Sequence, residues 1–270
     1  MKVAAIQFRC DEDHDANLQR AAALVRDAAA QGASVIVLPE MFASLGRTAS
    51  MQARAEATDG ATVQWARSLA RATHTTLVPG SFVERDGDRL FNTSCVVAPD
   101  GGLRATYRKV HLFDVELEGA TSRESDTFTG GVDAVVVDLG TGRLGIAICY
   151  DLRFPELFRM EVLAGADVIA VPSAFTAATG RDHWELLVRA RAVENQTAIV
   201  AAAQWGTSPD GIERFGHSMI VDGWGRVLAD AGPEGDAVLV ADVDLEMQAD
   251  IRRRLPALQH RRPDVYGTSA

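Results

Sequence analysis

Of the three cysteines in the 270-residue sequence, Cys149 has the surroundings of a nucleophile. It follows Arg143-Leu-Gly-Ile-Ala-Ile148, which reads as a buried strand, and precedes Tyr150-Asp-Leu-Arg-Phe-Pro155, where Pro155 suits the first turn of a helix. A strand-to-helix elbow holds a side chain out at the carboxyl end of a sheet. It also turns backbone N–H groups toward whatever that side chain attacks. The positive end of a helix lowers a thiol's pKa, so this reading predicts a thiolate at Cys149. Cys10 and Cys95 read as structural thiols, Cys95 because it lies inside a strand.

A thiol nucleophile needs a base. Glu40 closes the apolar run ending in Leu38-Pro-Glu40, and a carboxylate rarely follows a buried strand into a core unless it is paired or functional. His111, His183 and His217 are the competing bases of a Cys-His arrangement. Lys109, in Tyr107-Arg-Lys-Val-His-Leu-Phe113, is on spacing alone no better a candidate than its neighbour Arg108.

The elements that must carry these residues are duplicated. Gly32-Ala-Ser-Val-Ile-Val-Leu-Pro-Glu-Met-Phe42 matches Gly165-Ala-Asp-Val-Ile-Ala-Val-Pro-Ser-Ala-Phe175, so Ser173 stands in the second copy where Glu40 stands in the first. The fold therefore does not itself require a carboxylate there. Hydrophobic periodicity predicts strand 3–8, helix 15–31, strand 34–38, helix 61–73 and strands 76–83 and 90–98 in the first half. The second half reads as strand 144–148, helix 154–164, strand 167–171, helix 182–195 and strands 198–204 and 217–222. The turns Pro99-Asp-Gly101 and Asp222-Gly-Trp-Gly225 end the two sets, a further strand near 133–138 precedes the second, and a last one spans about 237–243. Strands apolar throughout want both faces covered. Two such sheets, each with helices on one side, give an α/β, four-layer α-β-β-α sandwich with internal pseudo-two-fold duplication. With one shared core, residues 1–270 read as a single domain carrying a basic C-terminal tail from about 245.

The net charge of −10 argues against nucleic acid, and the basic concentration at Arg252–Arg254 and His260–Arg262 reads as a tail docked on an acidic surface or a neighbouring subunit. Three cysteines without CxxC spacing argue against disulfides and zinc. The N-terminus reads as a strand rather than a signal peptide, and no apolar run approaches membrane-spanning length, so a cytoplasmic enzyme is expected.

Taken together, Leu-Pro-Glu40, Arg-Lys109-Val-His-Leu-Phe-Asp and Cys149-Tyr-Asp-Leu-Arg-Phe-Pro-Glu resemble the nitrilase superfamily of carbon–nitrogen hydrolases, from Lys2 into the C-terminal tail. The resemblance implies a Glu-Lys-Cys triad. Glu40 would be the general base, Cys149 the nucleophile that forms a thioester, and Lys109 with the backbone N–H of Tyr150 the oxyanion donors. Glu124, in Ser122-Arg-Glu-Ser125, matches a second glutamate usual after the lysine motif. No metal or organic cofactor is implied. The implied partners are a small-molecule amide and, because the family commonly dimerises by extending the sandwich, a second copy in a homodimer or higher homo-oligomer.

The sequence around Cys149 is similar to the Nit-type amidases, whose omega-amidase and deaminated glutathione amidase members cleave the far amide of a 2-oxo acid. The tail Arg253–Tyr266, Ala201-Ala-Ala-Gln204 and Gly216–Asp222 look more like the second of these. A carboxylate-bearing substrate wants a cation near Cys149, for which Arg153 is the candidate, with Thr179 as a further hydrogen-bond donor. An ion pair of Arg153 with Asp151 or Glu156 is the alternative. The loop 115–131 lacks the Pro-Gly usual in these branches, which bears on substrate length. A Cys-His glutaminase would want glycine two residues either side of the cysteine, where Ala147 and Asp151 stand. A non-catalytic scaffold is disfavoured because every triad position is filled.

Overall fold

The computed structural model describes residues 1–117 and 120–266. The first half runs β1 (Lys2–Gln7), α1 (His14–Ala30), β2 (Val35–Val37), α2 (Thr48–Ala53), α3 (Ala61–Thr73), β3 (Thr76–Val78), β4 (Phe82–Asp86), β5 (Arg89–Val97) and β6 (Leu103–Arg108). A hairpin, β7 (Asp114–Leu117) and β8 (Ala120–Arg123), leads to β9 (Val136–Asp138), β10 (Arg143–Ile146), α4 (Pro155–Leu163), β11 (Val168–Ser173), α5 (Ala177–Asn195) and β12 (Ala198–Ala203). Then come a second hairpin, β13 (Trp205–Thr207) and β14 (Glu213–Phe215), and strands β15 (Met219–Val221), β16 (Val227–Asp230) and β17 (Ala237–Asp242). Helices α6 (Leu245–Arg254) and α7 (Pro263–Tyr266) follow.

The two large sheets repeat one topology. In the first, β1, β2 and β3 are parallel, β17 lies antiparallel outside β1, and β5 lies antiparallel to β3 and pairs with β6. In the second, β10, β11 and β12 are parallel, flanked by antiparallel β9 and β15, with β16 beyond. The C-terminal β17 is thus the first sheet's counterpart of β9. Strand alternation sorts the layers. Val3, Ala5, Val35 and Val37 enter a core shared with Leu144, Ile146, Val168 and Ala170, whereas Ala4, Ile6, Ile36 and Leu38 pack with Ala21 and Val25 of α1 and Val63 and Ala66 of α3. The outer face of the second sheet meets Phe158 of α4 and Trp184 and Val188 of α5. This is the α-β-β-α sandwich expected.

Several boundaries differ. The expected strand 76–83 is interrupted at Gly80, whose φ is +63° and where a Cβ would fall 1.8 Å from the Pro39 carbonyl oxygen. That close approach seats Leu38-Pro39-Glu40 across the end of β3. Pro99-Asp-Gly101 and Asp222–Gly225 do not end the halves but turn them into one more strand each, β6 and β16. The strand expected near 133–138 is confined to Val136–Asp138. The tail begins as a helix and docks through Arg252, which donates to the Gln196 carbonyl at 3.0 Å and the Ala166 carbonyl at 3.2 Å.

Candidate active site

The carboxyl ends of β2 and β11, the turn after β10 and the end of β6 converge on one cavity of about 460 Å3. Glu40 is 5% exposed and Lys109 2% exposed, and both reach it. The Glu40 backbone is held by Gln204, whose Nε2 donates to its carbonyl at 3.1 Å, and the next residue, Met41, turns with φ +50°. Lys109 follows β6 directly, and its N–H donates to the Asn92 carbonyl at 2.9 Å. Its Nζ donates to Glu40 Oε1 at 3.0 Å and to Glu124 Oε1 and Oε2 at 3.1 and 2.8 Å. Glu124 arrives from the short 3-10 turn Glu124–Asp126 after the β7–β8 hairpin, and its Oε2 also accepts the Phe113 N–H at 2.7 Å. The second Glu40 oxygen accepts the N–H of Ala174, just after β11, at 2.9 Å.

Cys149 stands beside this cluster with φ +47°, a conformation costly for any residue but glycine and characteristic of a strained elbow. The elbow is fastened by Asp151. This fully buried carboxylate accepts from the Ile148 N–H at 2.8 Å, Tyr107 hydroxyl at 2.6 Å, His111 N–H at 3.0 Å and His111 Nδ1 at 2.8 Å. The turn Cys149–Arg153 is 3-10, and α4 begins only at Pro155. Cys149 is therefore not at the first turn of an α-helix, which corrects the expectation of a lowered thiol pKa. Burial of the thiol and the neighbouring Glu40 charge push it well above its ordinary value, and Lys109 offsets this only in part. Cys149 rests as a thiol. Burial also pushes the Glu40 carboxyl up, but the charge and hydrogen bond of Lys109 outweigh it and hold Glu40 below the usual range. Burial opposes the Lys109 charge, yet Glu124 and Glu40 keep its pKa well above normal. These shifts favour an ionised Glu40, a charged Lys109 and a neutral Cys149 thiol.

Tyr150 and Thr179 line the cavity, and Thr179 Oγ1 lies 3.1 Å from Thr176 Oγ1. Arg153 is not among the lining residues. Its guanidinium stands behind the wall, 5.2 Å from the Phe175 ring centroid and 5.9 Å from that of Tyr150, with His183 Nδ1 at 3.4 Å. Among the described residues it makes neither of the ion pairs weighed for it. The histidines are elsewhere: His111 binds Asp151 and stacks on Phe154, and His217 faces Asp230 at 3.1 Å. Cys10 and Cys95 are buried thiols with pKa pushed up to about 12.

Two cavity residues, Asn92 and Arg214, and the buried Asp151 behind the wall escaped the sequence reading as parts of the site. Asn92 of β5 donates to both Glu40 and Glu124. Asp151 was read as a partner for Arg153 and as a departure from the glutaminase pattern, not as the fastener of the elbow. Arg214 of β14, ion-paired with Asp210, donates to the Ala174 carbonyl at 3.0 Å and so braces the loop whose N–H meets Glu40. The available signal was polarity: Asn92 opens the polar run Asn92-Thr-Ser94 inside a buried strand, and a polar group there needs a partner.

The profile of the carbon-nitrogen hydrolase family matches residues 2–253. Omega-amidase NIT2 of Mus musculus is 39% identical over 266 residues, covering 98% of this chain and 96% of its own. Deaminated glutathione amidase of Synechocystis sp. is 40% identical over 264 residues, covering 96% and 97%. The crystal structure of the C. elegans NitFhit protein superposes with a TM-score of 0.89 at 37% identity, and this chain spans 98% of itself but 66% of that longer protein. A profile match along nearly the whole length, on a duplicated sandwich shared with that structure, makes this chain a member of the carbon-nitrogen hydrolase family.

Proposed function

We propose that the chain hydrolyses a small linear amide through a thioester on Cys149, with deaminated glutathione as the leading substrate. The observation that carries this reading is the meeting of Cys149, Glu40 and Lys109 at one cavity, with Lys109 Nζ 3.0 Å from Glu40 Oε1 and 2.8 Å from Glu124 Oε2. Glu40 takes the Cys149 proton as Sγ attacks the amide carbon. The carbonyl oxygen, now an anion, is met by Lys109 Nζ and the Tyr150 N–H. Glu40 returns the proton to the nitrogen, the C–N bond breaks and the amine leaves. Water then gives a proton to Glu40 and attacks the thioester, the C–S bond breaks, and the thiol is restored. Lys109 has three N–H groups. One is available for the oxyanion when Glu124 takes a single forked hydrogen bond, as its paired contacts at 3.1 and 2.8 Å allow.

Omega-amidase activity is the second reading, favoured by a relative of that name at 39% identity. A product assay on deaminated glutathione, alpha-ketoglutaramate, a carbamoyl amino acid and a simple nitrile separates the two. Release of cysteinylglycine from the first is expected. Ammonia from alpha-ketoglutaramate alone would transfer the assignment to omega-amidase, and turnover of only the last two would sink both. A cytoplasmic location and a homodimer belong to the same reading. Exposed Met160 and Leu163 on α4, with Leu186 and Val193 on α5, support pairing through the outer helices of the second half, and light scattering of the purified chain reads its mass.

A further inference from the structure

Asn92 lies within β5 and is 1% exposed. Its Nδ2 donates to Glu40 Oε1 at 2.8 Å and to Glu124 Oε1 at 3.3 Å. Lys109 Nζ donates to the same two oxygens, at 3.0 and 3.1 Å. Two donors and two acceptors thus close a four-cornered ring. Asn92 Oδ1, facing away, meets no partner among the described residues. The opposite orientation of the amide would set its oxygen against two carboxylates.

An ionised carboxylate offers about four lone-pair sites. On Glu124 all are taken: Oε1 by the ring, Oε2 by Lys109 and the Phe113 N–H. On Glu40, Oε1 is filled by the ring, and Oε2 accepts, among the described residues, the Ala174 N–H, while the Cys149 thiol is a further hydrogen-bond partner of this carboxylate. Within the described cluster the position left for a proton is on Glu40 Oε2.

We propose that Asn92 is a positioning residue that closes Glu40 Oε1 to protons, so that the proton leaving Cys149 travels on Oε2. This rests on Glu40 acting as the base. A second lysine at position 92 would fill the same lone pair but would hold the carboxylate ionised too firmly to accept a proton. The neutral amide fills it without a second full charge. The charged and titratable groups facing Glu40 are Lys109 from the end of β6, Glu124 from the 3-10 turn and Cys149 from the elbow, and Arg214 reaches only the Ala174 carbonyl.

The test is the rate of Cys149 alkylation by iodoacetamide against pH, in the intact protein, beside kcat/KM for whichever amide is turned over. In the alkylation the S–C bond forms, iodide leaves with the C–I electron pair, and the thiol proton passes to Glu40. Cys10 and Cys95, with pKa about 12, stay silent near neutrality. Asn92→Leu should slow alkylation roughly 10- to 100-fold, the equivalent of one hydrogen bond to a charged group. It should also move the acid limb to higher pH and leave KM within about threefold. Asn92→Asp keeps the shape. Two neighbouring carboxylates raise the pKa of the introduced carboxyl, so it donates while protonated. This variant should therefore work at low pH and fail as pH rises, bringing the alkaline limb down. Opposite displacements of the two limbs are the signature. An even loss across pH in both variants, or a loss carried by KM, would overturn the proposal. Should Asn92→Leu not fold, Asn92→Asp decides on the same criterion. Because alkylation needs no amide substrate, a failure here is separable from a wrong substrate assignment.

Discussion

The two halves of the sandwich share order, direction and layer assignment, yet they deliver different things to the cavity. At the end of β2 the first half presents Glu40. At the end of β11 the second presents Ser173, whose hydroxyl turns back to its own strand at the Val171 carbonyl, 3.3 Å away. The next N–H, that of Ala174, is what crosses to Glu40. The outer strands differ too. β17 pairs with β1 over six residues, Lys2–Gln7, whereas β9 pairs with β10 over three. The N–H groups past the end of β9 are met by side chains instead, Ile146 by Glu161 Oε1 at 3.0 Å and Ile148 by Asp151 at 2.8 Å. The half that holds Glu40 is laced by backbone, and the half that holds Cys149 has the shorter edge strand, beyond which the chain turns at Cys149. Chemistry resides in the departures from the duplication.

The largest effect should come from exchanging the unequal equivalents. Glu40→Gln removes the proposed proton carrier and should lower kcat/KM roughly 10²- to 10⁴-fold, while Ser173→Ala should change it less than about twofold. Comparable losses at both positions would break the contrast. Asp151→Asn is next. It weakens an acceptor of four donors at the elbow, and should cost about 2–4 kcal/mol of stability and slow alkylation of Cys149 at least tenfold, read from denaturant midpoints and iodoacetamide rates. An elbow held by its neighbours alone would leave both unchanged. The smallest effect is at Glu161. Burial pushes this carboxyl well above its ordinary 4.5, so the folded chain keeps a proton that the unfolded chain releases. Its contribution is full below about pH 4.5 and is lost as pH rises toward the raised value. Glu161→Gln still accepts the Ile146 N–H but cannot ionise. It should match the parent near pH 4 and exceed it at pH 7, read as a higher Tm at the higher pH. A gain independent of pH would mean that the substitution acts through packing.

Much of this was legible in the residues. The repeat around Leu38-Pro39-Glu40 and Val171-Pro172-Ser173 predicted the sandwich and singled out Glu40, because apolar alternation and strand-ending prolines are local signals. Lys109 was legible only through family resemblance, since nothing local separates a buried lysine from Arg108 beside it. Asn92 was hidden because its partners lie far off in the chain, at Glu40 and Glu124. The resting state of Cys149 was misread for a related reason. A thiol's pKa follows what surrounds it in space, and a 3-10 turn of five residues looks in sequence like the first turn of the helix that starts at Pro155. The equivalence of β17 and β9 was equally hidden, because strand order across a whole chain has no local signature.

That equivalence has a consequence in time. The strand completing the sheet that carries Glu40 is separated from β1 by the entire second half, and Met1 itself is tied to the Val243 carbonyl at 2.7 Å. At about 5–20 residues per second, the outer edge of β1 waits on the order of ten to fifty seconds on the ribosome before its partner is synthesised. An open, apolar strand edge is the surface through which nascent chains pair wrongly. Chains truncated before β17 should therefore leave the outer edge of β1 unpaired and aggregate more readily than the full chain, which light scattering of the truncated and full-length proteins would read.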